Sequence, residues 1–309
     1  GIQSTIVGSF AGDALTEGND NIALGHDALS GDTKGSRSVA IGSNALKTQN
    51  FTSATNANNT AVGNFAGELV TTGTGNTFIG LSAGDACTDS VNNVAIGINA
   101  LGADAVGENV AIGNSALAVC TASNNVAIGS NSGKAVTSGS QSVYIGNNAG
   151  DAVIGGANNV AIGFNALSAL TAANGSIAIG QSAGILMTGT ENVFIGNNVG
   201  AAATSLQQSI IIGDNAAAGG TMTGSNCVVI GDNSGYSLTG GVANTTIVGP
   251  QAGGNMTSAA NCLILGNNAG ITGSPGGNIT TADNNICLGD ENIQNCHIQV
   301  DWTVASDQR

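Results

Sequence analysis

The residues that could do chemistry in this chain are few and widely spread. Nineteen Asp and Glu stand against five Lys and Arg (Lys34, Arg37, Lys47, Lys134 and Arg309), a formal charge of −14. The carboxylates are scattered, so no acid–base pair for hydrolysis is offered. Asp214, Asp232 and Asp290 do share one place, the residue after a recurring glycine, where Asn147, Asn197 and Asn267 also occur. A calcium ladder would use such a column. The Gly-Gly-x-Gly-x-Asp pattern of calcium rolls is missing, however, and solvent-facing turn residues are the simpler reading, so no metal is expected.

Cys87 and Cys120 hold equivalent positions two repeats apart, and so do Cys227 and Cys262. Two stacked repeats span about 9–10 Å, beyond the roughly 7 Å Cα separation a disulfide allows. These four read as small packed residues, and Cys287 with Cys296 is the one pair near enough in sequence to bridge. No Cys-x-x-Cys or Cys/His zinc spacing occurs. His26 and His297 sit at opposite ends of the chain and cannot share a site within one subunit. With no nucleophile beside a base and no phosphate loop, the chain is not expected to be an enzyme, and no cofactor is expected.

What would hold any functional residue is a repeat. Taking the glycine that follows an aliphatic residue as anchor, the series runs Gly8, Gly25, Gly42, Gly63, Gly80, Gly97, Gly113, Gly129, Gly146, Gly163, Gly180, Gly196, Gly213, Gly231, Gly249, Gly266 and Gly289. The modal spacing is 17 residues, as from Gly8 to Gly25 and from Gly129 to Gly146. Position −1 is always Ile, Val or Leu, and −3 is mostly Val, Ile or Thr, as in Val126-Ala127-Ile128-Gly129. Strand alternation puts −1 and −3 on one face and −2 on the other. Position −2 is apolar too (Phe78, Tyr144, Phe194, Ile211, Ile264), so both faces are expected to be covered. The anchor glycine permits a turn closed to other residues. A polar-Ala step follows, and then a second apolar segment with Val136, Val153, Leu170 and Met187 at +7. Turn-forming residues then lead to the next strand.

Two short strands and two turns per repeat predict an all-β fold, a β-solenoid or β-roll of about 17 rungs. At about 4.8 Å per rung it would extend on the order of 75–80 Å. Helices are rejected, because Gly, Asn, Ser and Thr are frequent and apolar spacing never holds to 3.6. With Ile and Val expected to fill the interior, the −2 residues would form an exposed apolar stripe. Identical copies around a parallel axis would cover it, and a parallel homotrimer is the preferred count. The composition agrees with a stacked array: 49 Gly, two Pro, one Trp and 8% charged residues. The negative charge disfavours nucleic acid and anionic membranes. No apolar run reaches the roughly 20 residues of a membrane span. The chain starts inside a repeat, as part of a longer polypeptide or of a protein exported without a cleaved leader would.

Two repeats are longer. The first insertion includes Asn50, Phe51 and Thr52, and the second includes Pro275 and Gly276. Extra residues in a solenoid are extruded as loops, where binding residues tend to sit, although a tolerated insertion without a ligand explains them equally well. Trp302, the lone Trp, is expected to anchor a tip or an intersubunit contact.

The Val126-Ala127-Ile128-Gly129 motif with its polar-Ala step resembles the β-roll repeats of trimeric autotransporter adhesin heads, with a longer period. The chain's end, Ala305-Ser306-Asp307-Gln308-Arg309, resembles the opening of the intramolecular chaperone domain of phage tail fibres and endosialidases. That resemblance implies trimerisation and a self-cleavage point at Ser306 and Asp307, a processing event and not an activity of the mature fibre. The expected organisation is a shaft over residues 1–292 and a junction or tip over 293–309, leading to a chaperone domain. The expected function is a structural and adhesive segment of a viral or phage tail fibre, on the virion surface or extracellular. Its partners would be its own copies and a host-surface glycan or protein. A bacterial trimeric adhesin head and a glycan-binding or glycan-cleaving tailspike are the alternatives. An ice-binding solenoid would need one small residue repeated in every rung, and positions after +7 are expected to vary too much for that.

Overall fold

Glycine at the anchor determines how each repeat closes. Gly129 has φ +134°, and a Cβ there would lie 2.5 Å from the carbonyl oxygen of Gly146 in the next repeat. Any side chain would therefore push neighbouring turns apart. The computed structural model describes residues 3–271, 273–274, 277–281 and 283–294. In it, each repeat contributes a three-residue strand ending just before the anchor. Val126–Ile128 pairs in parallel with Val110–Ile112 on one side and Val143–Ile145 on the other, with Ala127 aligned to Ala111 and Tyr144. The same pairing joins Thr5–Val7 to Ile286–Leu288 in one seventeen-stranded sheet. The protein is a parallel β-solenoid with about 17 residues per turn, and the described residues contain no helix.

The expected second strand around +7 does not form. Val136, Val153, Leu170 and Met187 lie outside strands and point into the core. A further three-stranded sheet appears instead from Ser205–Gln207, Met222–Ser225 and Gly240–Ala243, and Gly35–Ser36 pairs with Thr55–Asn56.

The faces of the main strand are the reverse of the expectation. Ala127, Phe78, Tyr144, Phe194, Ile211 and Ile264 at −2 are fully buried, whereas Ile128 at −1 is exposed and Val126 at −3 half-buried. The reason is space. Most turns also send their −4, +3 and +7 residues inward, so the narrow interior takes one strand side chain per turn, most often Ala.

Position −4 shares the inward face, and it is commonly Asn. Buried amides require partners, and these stack. Asn76, Asn93, Asn109 and Asn125 each donate their backbone N–H to the side-chain oxygen of the Asn one turn earlier, at 2.9–3.0 Å. The Nδ2 groups of Asn76, Asn109 and Asn125 donate to carbonyls across the turn, as from Asn76 to Ser90 and from Asn125 to Gly139, both at 2.8 Å. This column ties each rung to the next through the interior.

Bulk at −2 is compensated at +4. Where −2 is Ala, +4 can be Leu, as in Ala111 with Leu117 and Ala161 with Leu167. Where −2 is aromatic, +4 is Gly. A Cβ on Gly84 would strike the Phe78 ring, and one on Gly150 the Tyr144 ring. Each Phe so accommodated adds about 1.5–3 kcal/mol of hydrophobic stabilisation.

Candidate functional site

The first insertion is built on a buried polar cluster. Asp32 and Gln49 occupy +7 in successive turns, where most other turns place an apolar residue such as Val, Leu, Met or Cys. The Asp32 carboxylate accepts hydrogen bonds from Gln49 Nε2 at 2.6 Å and from the backbone N–H groups of Gly35, Lys34 and Phe51 at 2.9, 3.3 and 3.4 Å. Gln49 Nε2 also donates to Ser38 Oγ at 3.1 Å, and Gln49 Oε1 accepts from Asn59 Nδ2 at 2.8 Å. Several donors thus surround the Asp32 side chain and satisfy its oxygens inside the roll.

This cluster changes the reading of the loop. Phe51, expected as a presented binding residue, is only 6% exposed. Its backbone N–H is held by Asp32 and its carbonyl accepts from Thr33 Oγ1 at 3.0 Å. Phe51 is packing that seats the insertion on the roll. Asn50 and Thr52 on either side are exposed, and Asn50 Oδ1 accepts from Thr33 Oγ1.

In the second insertion, Ser274 is buried and its hydroxyl accepts from Gly270 N–H and donates to the Gly277 carbonyl, each at 3.1 Å. Pro275 and Gly276 lie outside the described residues, as do Trp302, Ser306, Asp307, His297 and Cys296. The proposed Cys287–Cys296 pair and the junction segment therefore have no structural description.

The remaining chemical groups do not converge. Among the described residues, no group of three or more His, Cys, Asp or Glu side chains could hold a metal ion. Asp214 and Asp232 follow anchors in successive turns, while Asp290 lies three turns further on. Hydrogen bonds from the Asn292 side chain and backbone hold the Asp290 pKa below its usual value. Partial burial pushes the Asp85 and Asp151 carboxyls up. Cys87 is buried and its pKa is pushed up to about 11, mainly by desolvation, so it is an unreactive packed thiol near neutral pH. Cys120 and Cys227 are shifted the same way by burial. The Tyr144 hydroxyl is buried without a hydrogen-bonding partner, and desolvation pushes it up to about 12. His26 stacks edge-on against Phe10, with ring centroids 6.0 Å apart.

Two surface features remain. A cleft of about 330 Å³ lies between the Asn244, Asn261 and Asn284 amides and the side chains of Thr246, Leu263 and Ile286. Position +8 is less variable than expected, with Thr in most turns, including Thr71, Thr121, Thr137, Thr188 and Thr239. Their hydroxyls donate to the backbone of the next turn, for example Thr137 to Ile154 O at 3.0 Å and Thr188 to Thr204 O at 2.8 Å. The column clasps successive turns together.

No helix among the described residues is long and apolar enough to cross a membrane. No protein-family model matches the chain, and no curated protein sequence matches it.

Proposed function

We propose that this chain is a structural and adhesive segment of a viral or phage tail fibre, assembled as a homotrimer and presenting loops or a tip to a host-cell surface. The observation that carries this reading is the unbroken seventeen-stranded parallel sheet. Its rungs repeat one backbone hydrogen-bond pattern, giving a rod whose extent grows by about 4.8 Å per rung. Such a rod transmits force and sets distance, and three copies add avidity to a weak surface contact. The scattered titratable groups support a mechanical role over a catalytic one. The Ala305-Ser306-Asp307-Gln308-Arg309 segment favours a fibre with a downstream chaperone. The exposure of Asn50 and Thr52 on a loop seated by buried Asp32 and Phe51 supports loop presentation.

Light scattering and small-angle X-ray scattering on the purified chain, with fluorescent labelling of a panel of bacterial hosts, test the proposal. A rod of about three times 29.8 kDa that labels some hosts is expected. A compact monomer that labels none would refute it.

A further inference from the structure

The outward face of the main sheet carries two columns of side chains, −3 and −1, through all seventeen strands. They are Val, Ile, Leu or Thr throughout, with no charged residue, in a chain that carries 19 carboxylates. Ile128, Ile179, Ile195 and Ile210 are each 37–40% exposed. A monomer rarely leaves so long an apolar strip open to water. We infer that this strip, and not the −2 column, is where a second copy of the same chain docks, parallel and in register, so that Ile128 of one copy meets the Ile128 level of the other. The inference rests on the fibre reading and specifies its interface.

Three observations select a second copy as the occupant. The first is periodicity: the strip repeats at the rung spacing over all seventeen strands, and only a partner with the same repeat can match every rung. The second is charge. Each copy carries −14, so two copies repel across most of their surfaces and can approach closely along the uncharged strip. The third is area. Strands of three residues over seventeen rungs offer on the order of 800 Å² per copy, what a stable interface needs from each partner. Parallel, in-register packing places like residues at like heights, the arrangement a rotation axis along the rod generates.

The test uses the full chain with Cys296→Ser. Val126→Cys and Ile128→Cys are placed on the strip, and Thr171→Cys on the exposed threonine column as control. Under mild oxidation, at least one strip variant should form a disulfide with its own copy, and a mixture with tagged, shorter chains should show same-position linkage. Ile128→Asp with Ile145→Asp should convert the oligomer to a 29.8 kDa monomer with its β-type circular dichroism retained, because both side chains point outward. Cross-linking only at Thr171→Cys, or an oligomer that survives the double Asp substitution, would overturn the interface and leave the fibre reading standing. A wild-type chain that is monomeric at micromolar concentration would overturn both. Binding of that monomer to neutral lipid vesicles would identify a membrane as the true occupant.

Discussion

Gly150→Ala isolates the size compensation between −2 and +4. Gly150 has φ +59°, and its added methyl would be driven into Cδ1 and Cε1 of the Tyr144 ring. The left-handed backbone alone does not forbid a side chain, since Leu167 holds the same position one turn later at φ 50° above Ala161. Two costs can thus be separated. A non-glycine residue in this conformation costs about 1–2 kcal/mol, and overpacking a filled core costs about 1–3 kcal/mol. The expected total is about 2–5 kcal/mol. Tyr144→Ala should itself cost about 3–5 kcal/mol through the cavity it leaves. In that background Gly150→Ala should lose its steric part and cost only about 1–2 kcal/mol, leaving a coupling of about 1–3 kcal/mol. Repeat arrays need not unfold in one step, so the suitable assay is native-state hydrogen exchange at Val143 and Gly146, at fixed chain concentration. A coupling within about 0.5 kcal/mol of zero would refute the compensation argument.

Other expectations follow from the same architecture. Asn109→Ala should leave the Asn125 N–H and the Ala122 carbonyl without their amide partner. It should destabilise by about 2–5 kcal/mol, with the Asn125 amide showing the largest acceleration in exchange. Asp32→Ala strips Gln49, Gly35 and Phe51 of a shared acceptor. It should loosen the first insertion by about 2–4 kcal/mol, seen as protease cleavage near Thr52 that wild type resists. Alkaline pH should weaken the fold. The folded pKa of Cys87 is raised from 9.0 to about 11 and that of Tyr144 from 10.0 to about 12, so the unfolded chain loses these protons first. Their stabilising contribution is complete below about pH 9 and falls as pH rises to about 12, by roughly 2–3 kcal/mol for each group. Urea midpoints across pH 8–12 should decline accordingly, and Cys87→Ala should remove its own share of the decline between pH 9 and 11, leaving the shares of Cys120 and Cys227.

Much of this architecture was legible in the chain itself. The seventeen anchor glycines, with Ile, Val or Leu always before them, determine the period, the strand position and the solenoid class. That follows because only a stacked parallel array asks for the same turn and the same close backbone approach in every repeat. The alternation of −3, −2 and −1 was legible as well, but which side of it faces inward was not. Period-two patterning says which residues share a face, and both faces here are apolar. The decision lay at −4, where recurrent Asn reads as a solvent residue until its stacking is seen. Asn76, Asn93 and Asn109 are buried because each satisfies the next, a relation between turns that no single repeat contains. Likewise, Phe51 read as part of an exposed loop because its anchor, Asp32, lies one turn away and becomes its neighbour only when the roll is wound. The sequence by itself thus determined that there would be rungs and where each begins. The tertiary structure decided which side chains fill the roll and which remain outside, because interior volume is shared among residues from different turns.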